Sequence, residues 1–232
     1  MNDLKLKQRF VTIAIALVAA AIVGVVVMVS GVVPISADSG HWPVTKWILD
    51  FSKRRSISLH STGIDAPPLD DESLVMKGAG HYETGCVQCH GSPSRPASPI
   101  AGAMTATPPA LPPKIKSRDV EELFYVLNHG IKFTGMPAWP AENRDDEIWA
   151  MVAFLLQLPE MSEEQYHELA GLTEVKQLSS QVNGVSPATL QTCVRCHGSD
   201  GRGRGTGAFP VLAGQNQKYL SATLHAYAED KR

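Results

Sequence analysis

Two short runs, GCVQCHG at residues 85–91 and TCVRCHG at residues 192–198, constrain this chain more than anything else in it. Each sets two cysteines apart by two residues and puts a histidine directly after the second. That is the attachment signature of a c-type haem. The spacing has a physical reason. Two thiols on one helical turn reach the two vinyl groups on one haem edge, and the neighbouring imidazole then sits under the iron. Zinc is another use of paired cysteines, but each motif offers three ligands with no fourth nearby. A redox dithiol does not need the trailing histidine. All four cysteines fall in the two motifs, so none is left for a structural disulfide. The expectation is two haem c groups, one on Cys86 and Cys89 and one on Cys193 and Cys196, their irons held by His90 and His197.

The opposite side of the first iron needs a second ligand. A methionine there raises the potential. Downstream of His90 stand Met104, Met136, Met151 and Met161. Met104 follows His90 too closely to leave chain for wrapping a haem. Met151 lies in an amphipathic helix, where a core role is the default, and Met161 follows that helix and Pro159. Met136 sits in KFTGMPAWP, a loop between two helices, where Gly135 permits close approach and Pro137 stiffens the chain. Met136 is the predicted ligand. The other ring nitrogen of a ligating histidine needs an acceptor that fixes the ring. For His90 a carbonyl in PPALPPK is expected, around Leu111 to Pro113; for His197 the expected source is Pro210. His129 reads first as a solvated residue at a helix end and second as one near a haem propionate or edge, and His41, His60, His81 and His167 default to the surface.

The chain has 232 residues, 44% hydrophobic and 19% charged, which suits one or two globular domains. A net charge of -2 and the lack of a basic stripe with interleaved aromatics argue against nucleic acid as a partner. Residues 10–29, FVTIAIALVAAAIVGVVVMV, carry no charge. Twenty residues at about 1.5 Å each span about 30 Å, one bilayer core. A signal peptide has an apolar stretch of only about 7–15 residues and then a small-x-small site. Here Ile35 stands two positions before Ala37, so the reading is an uncleaved anchor. Basic residues lie on both sides, Lys5, Lys7 and Arg9 before and Lys46, Lys53, Arg54 and Arg55 after, so charge does not set the orientation. HWPVTKWILDFSKRRSI suits a membrane headgroup region, through its tryptophans and snorkelling cations, and equally a surface helix packed on the first domain.

Asp70 or Asp71 is placed to cap a helix running towards Cys86. Gly78, Tyr82 and Cys86 share one face of it, and the glycine permits a close helix crossing. Residues 92–113 read as an extended loop. Residues 118–129 are helical by periodicity, with Gly130 as the stop. Residues 145–158 form another helix, and Ser162 with Gln165 offers a capping box for a shorter one. Residues 172–187 read as a linker.

The run Gly78, Tyr82, Cys86, Cys89, His90, the GMPAW loop and the helix DDEIWAMVAFL resemble the mono-haem cytochrome c fold. GIKFTGMPAWP with DDEIWAMVAFLLQLP resembles membrane-anchored respiratory cytochromes c of proteobacteria. The resemblance implies an all-α chain: a transmembrane anchor (1–33), a juxtamembrane linker (34–65), a first cytochrome c domain (66–171) and a second, partial one (172–232). It implies that the helix before the motif crosses the C-terminal helix, with the glycine and the aromatic at the crossing. Haem is attached outside the cytoplasmic membrane in such proteins, so the N-terminus is expected in the cytoplasm and the rest on the periplasmic side. CVRCHGSDGRGRGTGAFPVLAGQNQKYLSATL resembles the haem-binding half of small two-domain cytochromes c, its glycines around Arg202 and Arg204 reading as a loop over the haem edge. That half departs from the pattern: Val185 and Thr189 stand where the glycine and the aromatic would be. No methionine follows His197, and His225 is the one imidazole there, expected at the surface. The second domain therefore reads as cut short.

The leading expectation is one-electron transfer between a quinol-oxidising complex or dehydrogenase and a terminal oxidase. The alternatives are the cytochrome subunit of an alcohol or sugar dehydrogenase and, behind it, a di-haem peroxidase. No base and nucleophile pair and no nucleotide loop is present, so no catalytic residue is named.

Overall fold

The computed structural model describes residues 2–111, 115, 119–173, 186–229 and 231. Among these the chain is helical and has no strand; Ser92 and Arg95 form an isolated bridge. The chain divides into two compact units, residues 1–41 and 42–232.

The first unit is dominated by helix α1, Asn2–Ser30. Its stretch Lys5–Ser30, 26 residues long, contains an 18-residue window with a mean hydropathy of 3.0. At about 1.5 Å per residue it is about 39 Å long, more than a bilayer core of about 30 Å. It is long and apolar enough to cross a membrane.

The second unit begins with α2, Pro43–His60, opened by Pro43 at its first turn. Near its end Ile57 is buried and His60 stacks on Tyr125, ring centres 5.6 Å apart. Near its start Trp42 and Trp47 are 62% and 64% exposed, and Trp47 stacks on Phe51.

Helix α3, Glu72–Gly85, is capped by Asp71, whose carboxylate accepts from Ser73 N at 2.8 Å. It runs into the short helix α4, Val87–His90. The loop after it is not wholly extended, because Ser98 caps a single helical turn, α5, Pro99–Gly102. Helix α6, Val120–His129, ends at Gly130, whose φ of 64° is the left-handed stop expected of glycine. Helix α7, Asp145–Gln157, begins with three acidic residues at its positive end. Helix α8, Glu163–Leu169, has the capping box of Ser162 and Gln165. Of the expected linker, residues 174–185 lie outside the described residues. Helix α9, Pro187–His197, and helix α10, Gln217–Ala228, follow.

The core forms where α3 crosses α7. A Cβ on Gly78 would run into the Ala150 carbonyl and sit 2.6 Å from Phe154 Cβ, so here backbone meets backbone. Tyr82, fully buried one turn on, packs on Phe154 with ring centres 5.2 Å apart. Phe124 of α6 stacks on Trp149 at 4.4 Å, and Tyr166 of α8 closes the other side. Among these apolar groups lies one buried acid. Glu83 accepts from the Arg95 guanidinium at 2.7 Å and from the Tyr166 hydroxyl at 2.5 Å. Both carboxyl oxygens thus have a donor, which offsets the cost of burying them. Burial, and secondarily the bond to Glu83, pushes the Tyr166 phenol well above its ordinary range.

The crossing predicts a cost. Gly78→Ala should lower stability by about 1–3 kcal/mol, the usual cost of overpacking, because Ala150 and Phe154 must retreat. Gly102→Ala, with open space around it, should be close to neutral. Thermal unfolding of the two variants compares them; equal melting temperatures would contradict the crossing.

Candidate haem sites

Both cysteines and the histidine of the first motif lie on the turn where α3 passes into α4. Cys86 N donates to the Tyr82 carbonyl and His90 N to the Cys86 carbonyl, both at 2.9 Å, so one helical turn brings the two thiols and the imidazole together. The turn is tied down by the Tyr82 hydroxyl, which donates to the Gly91 carbonyl at 2.7 Å. Both thiols are free. Burial, with a smaller push from Cys89, raises the Cys86 thiol to about 11. His90 Nδ1 lies 2.8 Å from the Pro109 carbonyl. The acceptor lies in the expected PPALPPK stretch, at Pro109, two residues before the expected position at Leu111 to Pro113; residues 112 and 113 lie outside the described ones. Pro109 lies nineteen positions along the chain from His90, a distance the loop's own path decides.

Met136 is carried on a tight return. Ile131 N donates to the Met136 carbonyl at 3.1 Å, Met136 N to the Thr134 hydroxyl at 3.1 Å, and Trp139 N to the Asn128 carbonyl at 3.0 Å. A Cβ on Gly130 would lie 2.6 Å from Ala138 N, so this glycine lets the return fold back on the end of α6. Gly135 has a neighbour from a distant loop. A Cβ there would collide with the Met104 methyl and lie 3.5 Å from the Met104 sulfur. Met104, close to His90 in sequence, is therefore packed against the Met136 loop. Trp139 donates to Glu147 at 3.0 Å and meets His81 edge-on, ring centres 5.4 Å apart. His81 is thus half-buried, not a free surface histidine. His60 is exposed but stacked, His129 is exposed against Tyr125, and His167 is half-buried.

The second motif repeats the geometry of the first. Ser186 caps α9 by accepting from Thr189 N at 3.1 Å. His197 Nδ1 lies 2.8 Å from the Pro210 carbonyl, the expected partner. Gly198, Gly201 and Gly203 all have φ between 71° and 78°, and a Cβ on Gly203 would run into the Phe209 carbonyl. This loop folds tightly enough to bury Phe209 beside the His197 ring. Burial raises the Cys196 thiol. Val185 lies outside the described residues, Thr189 is exposed, and His225 is exposed on α10.

Residues 73–155 match the family described as cytochrome c oxidase, cbb3-type, subunit III. Residues 184–232 match the cytochrome c family. The chain carries two cytochrome c-type domains. Over 43 residues it is 44% identical to cytochrome c-554(548) of Halomonas halodenitrificans; that stretch is 18% of this chain and 51% of the relative, so the chain spans about half the length of the curated protein it matches. No solved structure matches.

Cytochrome c domains hold c-type haem covalently, and two such domains fit two haems. The donor sets agree with that. In each domain the two thiols are free, and the imidazole Nδ1 lies against a proline carbonyl, an arrangement that leaves Nε2 available to a metal. Among the described residues no cluster of histidine, cysteine and carboxylate offers a competing metal site.

A pH dependence follows from the first domain. Burial holds the His81 imidazole below its ordinary value, aided by Lys77 and Arg144 and opposed by Glu147 and Asp146. The unfolded chain then binds the extra proton more readily than the folded one. Stability should be full above about pH 6.5, the unfolded value, and fall as pH drops below it. Melting curves from pH 7 to 5 should show a shallower decline for His81→Gln than for the parent; parallel declines would contradict it.

Proposed function

We propose that the chain is a membrane-anchored di-haem electron carrier, with its domains at 66–171 and 172–232, that passes single electrons from a quinol-oxidising complex or dehydrogenase to a terminal acceptor such as an oxidase. The observation that carries this is the repeated Cys-x-x-Cys-His turn with its proline-carbonyl acceptor, found in both cytochrome c domains. Cys86 and Cys89, and Cys193 and Cys196, would bind the two haems as thioethers, with His90 and His197 as iron ligands. Haem iron supplies a one-electron couple. The protein's own part is to hold the ring and exclude water. Pro109 and Pro210 fix which imidazole nitrogen faces the metal. The crossing at Gly78 fixes the turn that carries the thiols.

Met136 is the proposed second ligand of the first iron. The return from Ile131 to Trp139 fixes its backbone, and a saturated iron favours outer-sphere electron transfer over bond chemistry. Met104, packed on Gly135, is the competing thioether. Met136→Ala should remove the weak red-edge absorption of an iron–thioether bond and lower the first haem's potential, whereas Met104→Ala should keep both. The reverse pattern would reassign the ligand.

Helix α1 is proposed as a single uncleaved span of the cytoplasmic membrane, with the haem domains on the periplasmic side. Its support is the length and hydropathy of Lys5–Ser30. The exposed Trp42 and Trp47, beside Lys46, Arg54 and Arg55, suit a headgroup zone soon after a span. The full chain should stay with membranes through a high-salt wash and leave only with detergent. Recovery of a soluble protein starting near Asp38 would show that the helix is a cleaved signal.

A further inference from the structure

Helix α9 rests directly on α3. At the contact a Cβ on Gly80 would lie 3.3 Å from the Cys196 sulfur and 3.4 Å from the Phe209 ring. Gly80 is six residues before Cys86, about 9 Å of helix rise. The second motif's thiol therefore lies on the helix that leads into the first motif, near its end. No side chain separates them at Gly80.

Three further contacts hold this arrangement. Arg204 reaches across to the end of α8: its Nη1 donates to the Leu169 carbonyl at 2.6 Å, its Nη2 to the Glu168 carbonyl, and Nη1 also approaches the Arg195 carbonyl at 3.4 Å. The last carbonyls of a helix lack partners within it and carry the negative end of its dipole, so a guanidinium fork is well matched to them. Gly171, with φ of 68°, sits so close that a Cβ would lie 2.6 Å from the Arg195 carbonyl. The Thr206 hydroxyl donates to the Met76 sulfur of α3 at 3.3 Å. The charged end of Arg204 is thus engaged on the end of α8.

We propose that Gly80 and Arg204 are positioning residues that seat the second Cys-x-x-Cys-His segment on the helix entering the first, and so fix the separation across which an electron passes between the two haems. This rests on the carrier reading above. In the exchange one iron goes from ferrous to ferric as the other goes from ferric to ferrous; no bond forms or breaks and no proton moves. Tunnelling falls steeply with distance, so a seat with no side chain in it favours the exchange.

The test uses the full-length holoprotein in detergent. One haem is reduced by a light pulse and the absorbance of each haem follows the approach to equilibrium. Gly80→Leu inserts a side chain against Cys196 and Phe209. Arg204→Gln removes the fork, and Arg204→Lys restores a point charge able to reach one carbonyl. The exchange should slow several-fold in Gly80→Leu and in Arg204→Gln, with Arg204→Lys between Gln and the parent, while the spectrum of each haem is unchanged. Hydrogen exchange should quicken at 168–171 and 194–197 in the same order. If Gly80→Leu does not accumulate with both haems, the two Arg204 variants decide. Unchanged exchange rates in the variants overturn the proposal. If the parent itself passes no electron between its haems, the carrier reading fails, and hydrogen exchange still reports whether the seat exists.

Discussion

Backbone contact between α3 and α7 at Gly78 is the constraint on which the rest of the first domain depends. With no side chain at Gly78, the Ala150 carbonyl lies against α3 itself. That closeness lets Tyr82 reach both Phe154 and the Gly91 carbonyl, so one residue belongs to the core and to the motif's turn. It also leaves Glu83 facing α8, where Tyr166 pairs one oxygen, while Arg95 of the loop after α4 pairs the other. The core and the thiol-bearing turn are thus one structure: loosening the crossing would loosen the geometry of Cys86, Cys89 and His90.

The two domains use the same device to aim their histidines. In each, the imidazole Nδ1 is 2.8 Å from a proline carbonyl. A proline has a fixed φ and no N–H of its own to satisfy, so its carbonyl is a stiff acceptor on an otherwise irregular loop. The loops that deliver these prolines differ. The first runs through α5, and the second is a glycine-rich loop closed by Leu212 N donating to the Gly201 carbonyl at 2.7 Å. One chemical requirement is met by two unrelated loop paths.

Much of this was legible in the sequence because it depends on neighbours along the chain. The Cys-x-x-Cys-His spacing, the Asp71 and Ser162 caps, the stop at Gly130 and the helices at 120–129 and 145–157 follow from residues within one or two turns. Gly78 and Tyr82 could be read as a crossing because glycine and an aromatic on one face leave few other uses. Pro210 was readable because its loop is short.

What the sequence by itself determined is therefore the identity of the chemically able groups and the local turns that assemble them. Tertiary structure alone decided which distant groups meet. Pro109 rather than the later prolines serves His90, Met104 lies on Gly135, Glu83 finds Tyr166, and Arg204 crosses to Glu168 and Leu169. The physical reason is the same in each case. These partners are joined by loops, or by helices packed across a core, and the path of a loop and the register of a packed pair are set by shape and burial summed over many residues. No periodicity or spacing within either partner records that sum.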